Sequence, residues 1–275
     1  MTDEVRLGAR DLSLGYGAAP IVEGLTVDVA PGAVTAIVGP NACGKSTLLR
    51  GLARLMSPAA GQVILDGSDI SRLRTKDVAK RLGLLPQSSI APEGITVADL
   101  VTRGRFPHQT MLRQFSRTDQ QAVADAMAAT GVTAIAGRPV DQLSGGQRQR
   151  VWIAMVLAQQ TPLILLDEPT TFLDIAHQIE LLDLFADLNA EQGCTIVAVL
   201  HDLNHACRFA DQIIAMKAGA IVAQGNPADV ITATLVEEVY GLECQVIDDP
   251  ETGTPLVIPR ASSRLRARRQ DPSRR

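Results

Sequence analysis

Apolar and polar positions alternate over residues 21–29, the pattern of a half-buried strand, and the unbroken apolar run at 33–38 predicts a strand buried on both faces. A glycine-rich turn follows at once, after which residues 45–56 switch to helical spacing and 62–65 return to β character ahead of an Asp66-Gly67 turn. From about residue 88 to 160 the spacing is helical, over 97–103, over 119–130 where Gly131 closes the run, and over 146–159. Strands resume at 163–166 and 195–200. Between them an amphipathic helix is predicted over 175–191, with Asp174 suited to cap it and Gly193 to end it. A hairpin of 212–216 and 221–224 about Lys217-Ala218-Gly219 precedes a small C-terminal extension, and order is expected to end near Pro259. No internal repeat is visible. The alternation predicts an α/β fold with a mostly parallel core sheet covered on both sides and a helical subdomain inserted at about 88–160.

Composition narrows the function. A chain of 275 residues that is 46 % hydrophobic can bury a substantial core. Only 3 % of residues are aromatic, which argues against base-stacking platforms, so nucleic acid is not an expected partner. The apolar runs fall far short of the roughly 18 to 20 residues that span a bilayer. Asp3 and Glu4 stand where a signal peptide would be basic, so a cytoplasmic location is expected. Cys43, Cys194, Cys207 and Cys244 show neither CxxC nor metal-ligand spacing and imply no disulfide framework. The net charge of −4 conceals an asymmetry: residues 260–275 hold seven of the 26 basic residues and one of the 30 acidic ones. Arg264, Arg266, Arg268 and Arg269 could touch anionic lipid or nucleic acid, or form a solvated, disordered end.

Three motifs carry chemistry. Gly39-Pro40-Asn41-Ala42-Cys43-Gly44-Lys45-Ser46-Thr47 fits the GxxxxGK[ST] pattern, set between a predicted strand and a predicted helix. Glycines there let backbone N–H groups wrap phosphates, and the helix N-terminus adds a favourable dipole. Lys45 is placed to reach the β and γ phosphates of ATP, and the Ser46 hydroxyl to bind Mg2+. Leu163-Ile164-Leu165-Leu166-Asp167-Glu168 is an apolar strand ending in two acids: Asp167 is suited to the metal, and Glu168 to polarise a water as general base. Leu143-Ser144-Gly145-Gly146-Gln147 matches the five-residue LSGGQ signature, in which a serine hydroxyl and glycine amides at a helix start form a second anion site.

On these motifs the chain resembles the ATPases of the ATP-binding-cassette (ABC) family over nearly its whole length, from Val5 to about Pro259. The resemblance implies a P-loop cassette over 1–259 with an N-terminal antiparallel β subdomain. It also implies a homodimer in which Ser144, Gly145, Gly146 and Gln147 of one copy close over nucleotide held by the other. Tyr16 looks like the residue that stacks on adenine, Gln87 like the Q-loop residue that senses Mg2+ and water, and His201 like the switch histidine that bonds the γ phosphate. Asp174 resembles the D-loop aspartate that contacts the partner, a role compatible with capping. Cys43, beside Ala42, departs from the glycine and serine common at that point of the loop. A thiol at a helix N-terminus beside Lys45 is expected either to react with alkylating agents, with ATP protecting it, or to be a tolerated small residue. His108 has no visible second ligand and reads as a loop histidine.

The segments Thr96-Val97-Ala98-Asp99-Leu100-Val101, Arg103-Gly104-Arg105-Phe106-Pro107-His108, Thr170-Thr171-Phe172-Leu173-Asp174-Ile175 and Leu200-His201-Asp202-Leu203-Asn204 are most similar to importers of iron-siderophore complexes, haem and cobalamin. That resemblance implies two permease subunits, an external substrate-binding protein and attachment to the cytoplasmic face of the membrane. Soluble ABC proteins of ribosomes or DNA carry two cassettes or long coiled coils, which this sequence lacks. Exporters remain an alternative.

Overall fold

The computed structural model describes residues 6–17, 19–87, 90–109 and 115–261. Beyond Ala261 the expected basic tail lies outside the described residues. In chain order the strands are β1 (Leu7–Tyr16), β2 (Ala19–Val29), β3 (Val34–Val38), β4 (Ala60–Leu65), β5 (Ser68–Asp69), β6 (Leu82–Leu85), β7 (Leu163–Asp167), β8 (Thr195–Val199), β9 (Gln212–Lys217), β10 (Ala220–Gly225), β11 (Cys244–Asp248) and β12 (Pro255–Pro259). The helices are α1 (Lys45–Leu52), α2 (Thr75–Ala79), α3 (Val97–Thr102), α4 (Arg117–Ala129), α5 (Gly145–Ala158), α6 (Ile175–Gln192), α7 (Leu203–Phe209), α8 (Pro227–Val230) and α9 (Ala233–Tyr240).

β3, β7 and β8 are buried at every position, which is why they read as continuous apolar runs. They lie in a six-stranded sheet of order β10-β9-β3-β8-β7-β6, parallel except for the β9–β10 hairpin. Successive side chains take opposite faces. Ile37, Leu165, Val197, Val199 and Ile214 point toward α1 and an antiparallel sheet of order β2-β1-β4-β5. Ala36, Val38, Ile164, Leu166, Ile196 and Ile213 point the other way, toward α5, α6 and α7. The antiparallel N-terminal sheet is thus present as the resemblance implied.

Most element bounds shift by one or two residues from the sequence reading, and two of the differences have a clear local cause. The helix expected over 45–56 ends at Leu52, because Arg54 turns left-handed (φ 59°) and the N–H groups of Leu55 and Met56 fold back onto the Arg50 carbonyl. Lys217, expected in a turn, ends β9. The turn is the two-residue Ala218-Gly219, both at positive φ as a type I′ hairpin requires.

α3, α4 and α5 pack around a cluster of their own that includes Val97, Leu100, Val123, Met127, Val151 and Ala154. A buried ion pair ties this layer together. Arg105 Nε donates to Asp119 Oδ1 at 2.9 Å, and its Nη1 donates to the Ala158 carbonyl at 2.7 Å at the end of α5. Asp119 also completes a capping box with Ser116. The Ser116 hydroxyl and backbone N–H, then Arg105, pull the Asp119 carboxyl down to about 2. Because its folded value lies below the ordinary one near 4, the stabilisation is full above about pH 4 and is lost as pH falls towards about 2. Asp119→Ala is expected to cost about 3 kcal/mol by stranding a buried guanidinium, read as a lower urea midpoint at neutral pH. An unchanged midpoint would remove the pair from the stability of this layer.

Candidate functional site

Four parallel strands end side by side, so their carboxyl ends present one row of loops, the usual ligand edge of an open α/β sheet. β3 feeds the phosphate loop, β8 leads through Leu200 to His201, β7 ends in Asp167 and Glu168, and β6 runs into Gln87. Register brings the middle members together: Asp167 is opposite Val199, so Glu168 and His201 emerge as neighbours despite 33 residues of separation.

The loop geometry follows from its residues. Gly39 sits at φ 151°, where a Cβ would strike the Met216 carbonyl oxygen at 2.2 Å, and Gly44 at φ 104° is the N-cap of α1. No side chain caps α1 and no acid stands in its first turn, so its leading N–H groups face the loop without a side-chain partner. Ala42 takes φ 61° without being glycine, a strained conformation that costs about 1 kcal/mol or more. Lys45, only 5 % exposed, folds its Nζ back to donate to the carbonyls of Gly39 (2.8 Å) and Pro40 (2.9 Å). The Ser46 hydroxyl donates to Asp167 Oδ1 at 2.7 Å. Burial pushes the Asp167 carboxyl up, against the pull of Ser46, Arg50 and Lys45. The Ser46 hydroxyl and the carboxylate of Asp167, which is 1 % exposed, stand beside the Lys45 ammonium and uncapped amides, a donor set that fits a Mg2+-bound triphosphate.

Glu168 stands at φ 55°, a strained turn that lifts its carboxylate out of the strand and into the cavity. Its Oε1 lies 2.7 Å from His201 Nε2, and Thr171 Oγ1 donates to Oε2 at 3.4 Å. In this contact the imidazole N–H is the donor and a carboxylate oxygen of Glu168 the acceptor whenever Glu168 is ionised. Asn41, Ala42, Gly44, Lys45, Ser46, Thr47, Gln87, Glu168 and His201 line one cavity of about 490 Å³. Ile21 also lines it, contributed by β2 and not anticipated from sequence. Tyr16 is exposed at the end of β1, and Arg50 Nη1 donates to its hydroxyl at 2.9 Å. Arg50 was missed as well, although its spacing of four from Ser46 puts both on one face of α1.

The signature residues do not line this cavity. Ser144 caps α5 with its hydroxyl accepting from the Gln147 N–H at 3.2 Å, while the Ser144 N–H donates to Gln147 Oε1, and Ser144 and Gly145 are exposed. Gly145 borders a separate cavity with Arg148, Gln149, Trp152, Thr171 and Phe172, and Gln87 lines both. Asp174 caps α6 by accepting from the His177 N–H at 3.0 Å and ring Nδ1 at 2.8 Å, beside the exposed Phe172 and Ile175.

Cys43 departs from one of its two sequence readings. Its thiol is 4 % exposed and packs in the apolar layer, close enough that a Cβ on Gly39 would meet its Sγ at 2.8 Å. The tolerated small residue is the reading that fits, with Cys43 contributing backbone to the loop. His108 Nε2 pairs with the Gln159 carbonyl at 2.8 Å. No cluster of three metal-ligating side chains and no helix long and apolar enough to cross a membrane occurs among the described residues.

A phosphate loop, a buried acid paired to its serine and a strained glutamate at adjoining strand ends define a P-loop nucleoside triphosphatase. A family model described as ABC transporter matches residues 22–171. Ferric enterobactin transport ATP-binding protein FepC of Escherichia coli (strain K12) is 57 % identical over 260 residues, covering 94 % of this chain and 96 % of that protein. Petrobactin import ATP-binding protein FpuD of Bacillus anthracis is 52 % identical over 258 residues, 94 % of each chain. The dimeric structure of MJ0796, a bacterial ABC transporter cassette, superimposes with a TM-score of 0.73 at 28 % identity, covering 80 % of this chain and 98 % of that one. This chain belongs to the ABC transporter ATP-binding family and is an ATPase of that family.

Proposed function

We propose that this chain energises import of an iron-siderophore complex, as two cassette copies attached to two permease subunits at the cytoplasmic face of the membrane. An external protein delivers the chelate, which never touches this chain. The relatives named for enterobactin and petrobactin, alike over nine-tenths of their lengths, support the substrate class. The observation that carries the mechanism is the separation of the half-sites: the cavity of Lys45 and Glu168 contains no signature residue, while Ser144 and Gly145 are exposed elsewhere. Each copy therefore needs the Ser144-Gly145-Gly146-Gln147 turn of another to enclose a triphosphate. In the proposed arrangement Lys45 and the loop amides bind the phosphates, and Ser46 and Asp167 hold Mg2+, with Gln87 reporting its presence to the helical layer. Tyr16 receives the adenine, Asp174 meets the partner, Glu168 takes a proton from water, and His201 holds Glu168 and the terminal phosphate in register. When bound, Mg2+ neutralises phosphate charge. In a strain deleted for this gene, uptake of one iron-loaded siderophore is expected to fall to background and to return with the wild-type gene but not with Lys45→Ala. Undiminished uptake of every iron chelate, haem and cobalamin offered would refute the importer assignment.

A further inference from the structure

His201 lies between β8, which holds it through the Leu200 N–H bonded to the Ile37 carbonyl, and α7, which begins two residues later, so its placement depends on both elements. Its side chain is half exposed, and the next residue, Asp202, is the N-cap of α7, accepting from the N–H groups of Asn204 (2.8 Å) and His205 (3.0 Å). α7 has only seven residues, too few to persist in water on its own. Two side chains one turn apart tie it to the C-terminal hairpin. Asn204 Oδ1 accepts from the Val257 N–H at 2.7 Å while its Nδ2 donates to the Val257 carbonyl at 3.3 Å, closing a two-bond clamp on β12. Arg208 Nε donates to Asp249 Oδ2 at 2.5 Å, and that aspartate side chain is 1 % exposed in the turn between β11 and β12. A two-stranded hairpin is itself marginal. Ala206 and Cys207 of α7 are buried in the core, and the Asn204 and Arg208 bonds add the hairpin to that support, while no residue of the hairpin lines the cavity of Lys45 and Glu168.

We propose that Asn204 is a positioning residue for His201: the β11–β12 hairpin, clamped through Asn204, sets where His201 Nε2 meets Glu168 Oε1. This rests on the reading above that His201 acts in hydrolysis, and it gives the C-terminal extension a part in turnover from a distance.

The test is ATP turnover by the full chain as wild type, Asn204→Ala, His201→Ala and the double variant. Asn204→Ala is expected to lower kcat roughly 10-fold to 100-fold by misplacement, with KM for ATP within about twofold because no binding contact is removed. In the His201→Ala background the same substitution is expected to cause no further loss, since a group that acts through His201 has nothing left to position. Losses that simply multiply in the double variant, or wild-type kcat in Asn204→Ala, overturn the inference. Full turnover in His201→Ala overturns the reading of His201 and the inference with it, whereas a deficient His201→Ala beside an unaffected Asn204→Ala sinks the inference alone. If Asn204→Ala does not fold, Asn204→Asp keeps the acceptor for the Val257 N–H and is put through the same cycle. Non-additivity with His201→Ala supports the clamp, and multiplying losses refute it.

Discussion

Glu168→Gln is expected to bind ATP as tightly as the wild type, to lower turnover roughly 100-fold to 10,000-fold, and to accumulate as a nucleotide-dependent dimer. The amide is nearly isosteric with the carboxylate, so it can still occupy the strained turn at φ 55° and still meet His201 Nε2, now 2.7 Å from Oε1. What it lacks is basicity. Water near the terminal phosphate then keeps its proton, and the closed state, which hydrolysis would dissolve, persists. Single-turnover hydrolysis and light scattering with ATP, with and without EDTA, read the two effects separately. Turnover within a few-fold of wild type would take the general-base role from Glu168. Deficient turnover without any nucleotide-dependent pairing, alone or with its permease, would leave the base in place but break the sandwich that the separated half-sites imply.

Lys45→Ala acts one step earlier. Its ammonium is almost wholly buried and donates to two carbonyls of its own loop, so it is already stationed on the inner surface of the turn. A phosphate there would receive charge-assisted bonds in a site already partly desolvated. Removing the cation is expected to weaken MgATP binding by about 3 kcal/mol, roughly 100-fold, in an isothermal titration. Lys45→Arg is expected to rescue little, because a planar fork cannot occupy the position of a compact ammonium held between the Gly39 and Pro40 carbonyls. An unchanged dissociation constant in Lys45→Ala, with an intact circular dichroism spectrum, would contradict the assignment. The two variants thus separate binding from chemistry: one loses affinity, the other keeps affinity and loses rate.

Much of this arrangement is written locally. Apolar runs such as 163–166 are strands because every side chain along them has an apolar neighbour on one face of the sheet or the other. Asp174 and Gly193 bound α6 as expected, since a carboxylate acceptor and a left-handed glycine satisfy helix ends within a few residues of chain. The phosphate loop is equally local, its conformation set by glycines whose positive φ no other residue adopts cheaply. For the same reason the loop, the acidic strand end and the signature turn could each be read with its chemistry from residue types at fixed spacing.

Contacts across long separations could not be read that way. The pairing of Glu168 with His201 depends on the β7–β8 register, and that of Arg50 with Tyr16 on how α1 packs under the first sheet. The two readings of Cys43 could not be separated from sequence, because helix-terminus chemistry is a rule about position. Whether the side chain faces solvent or core was settled by the apolar layer behind the loop. Arg105 with Asp119, and Asn204 with Val257, are likewise decisions of packing: each joins polar groups far apart in sequence that only the closed fold removes from water. The elements, the phosphate loop and the residue types it presents are therefore legible from the chain alone, because they follow from dihedral preferences and periodicity over a few residues. Only the closed fold settles which of these groups meet and which stay exposed, because strand register and burial are properties of the whole chain.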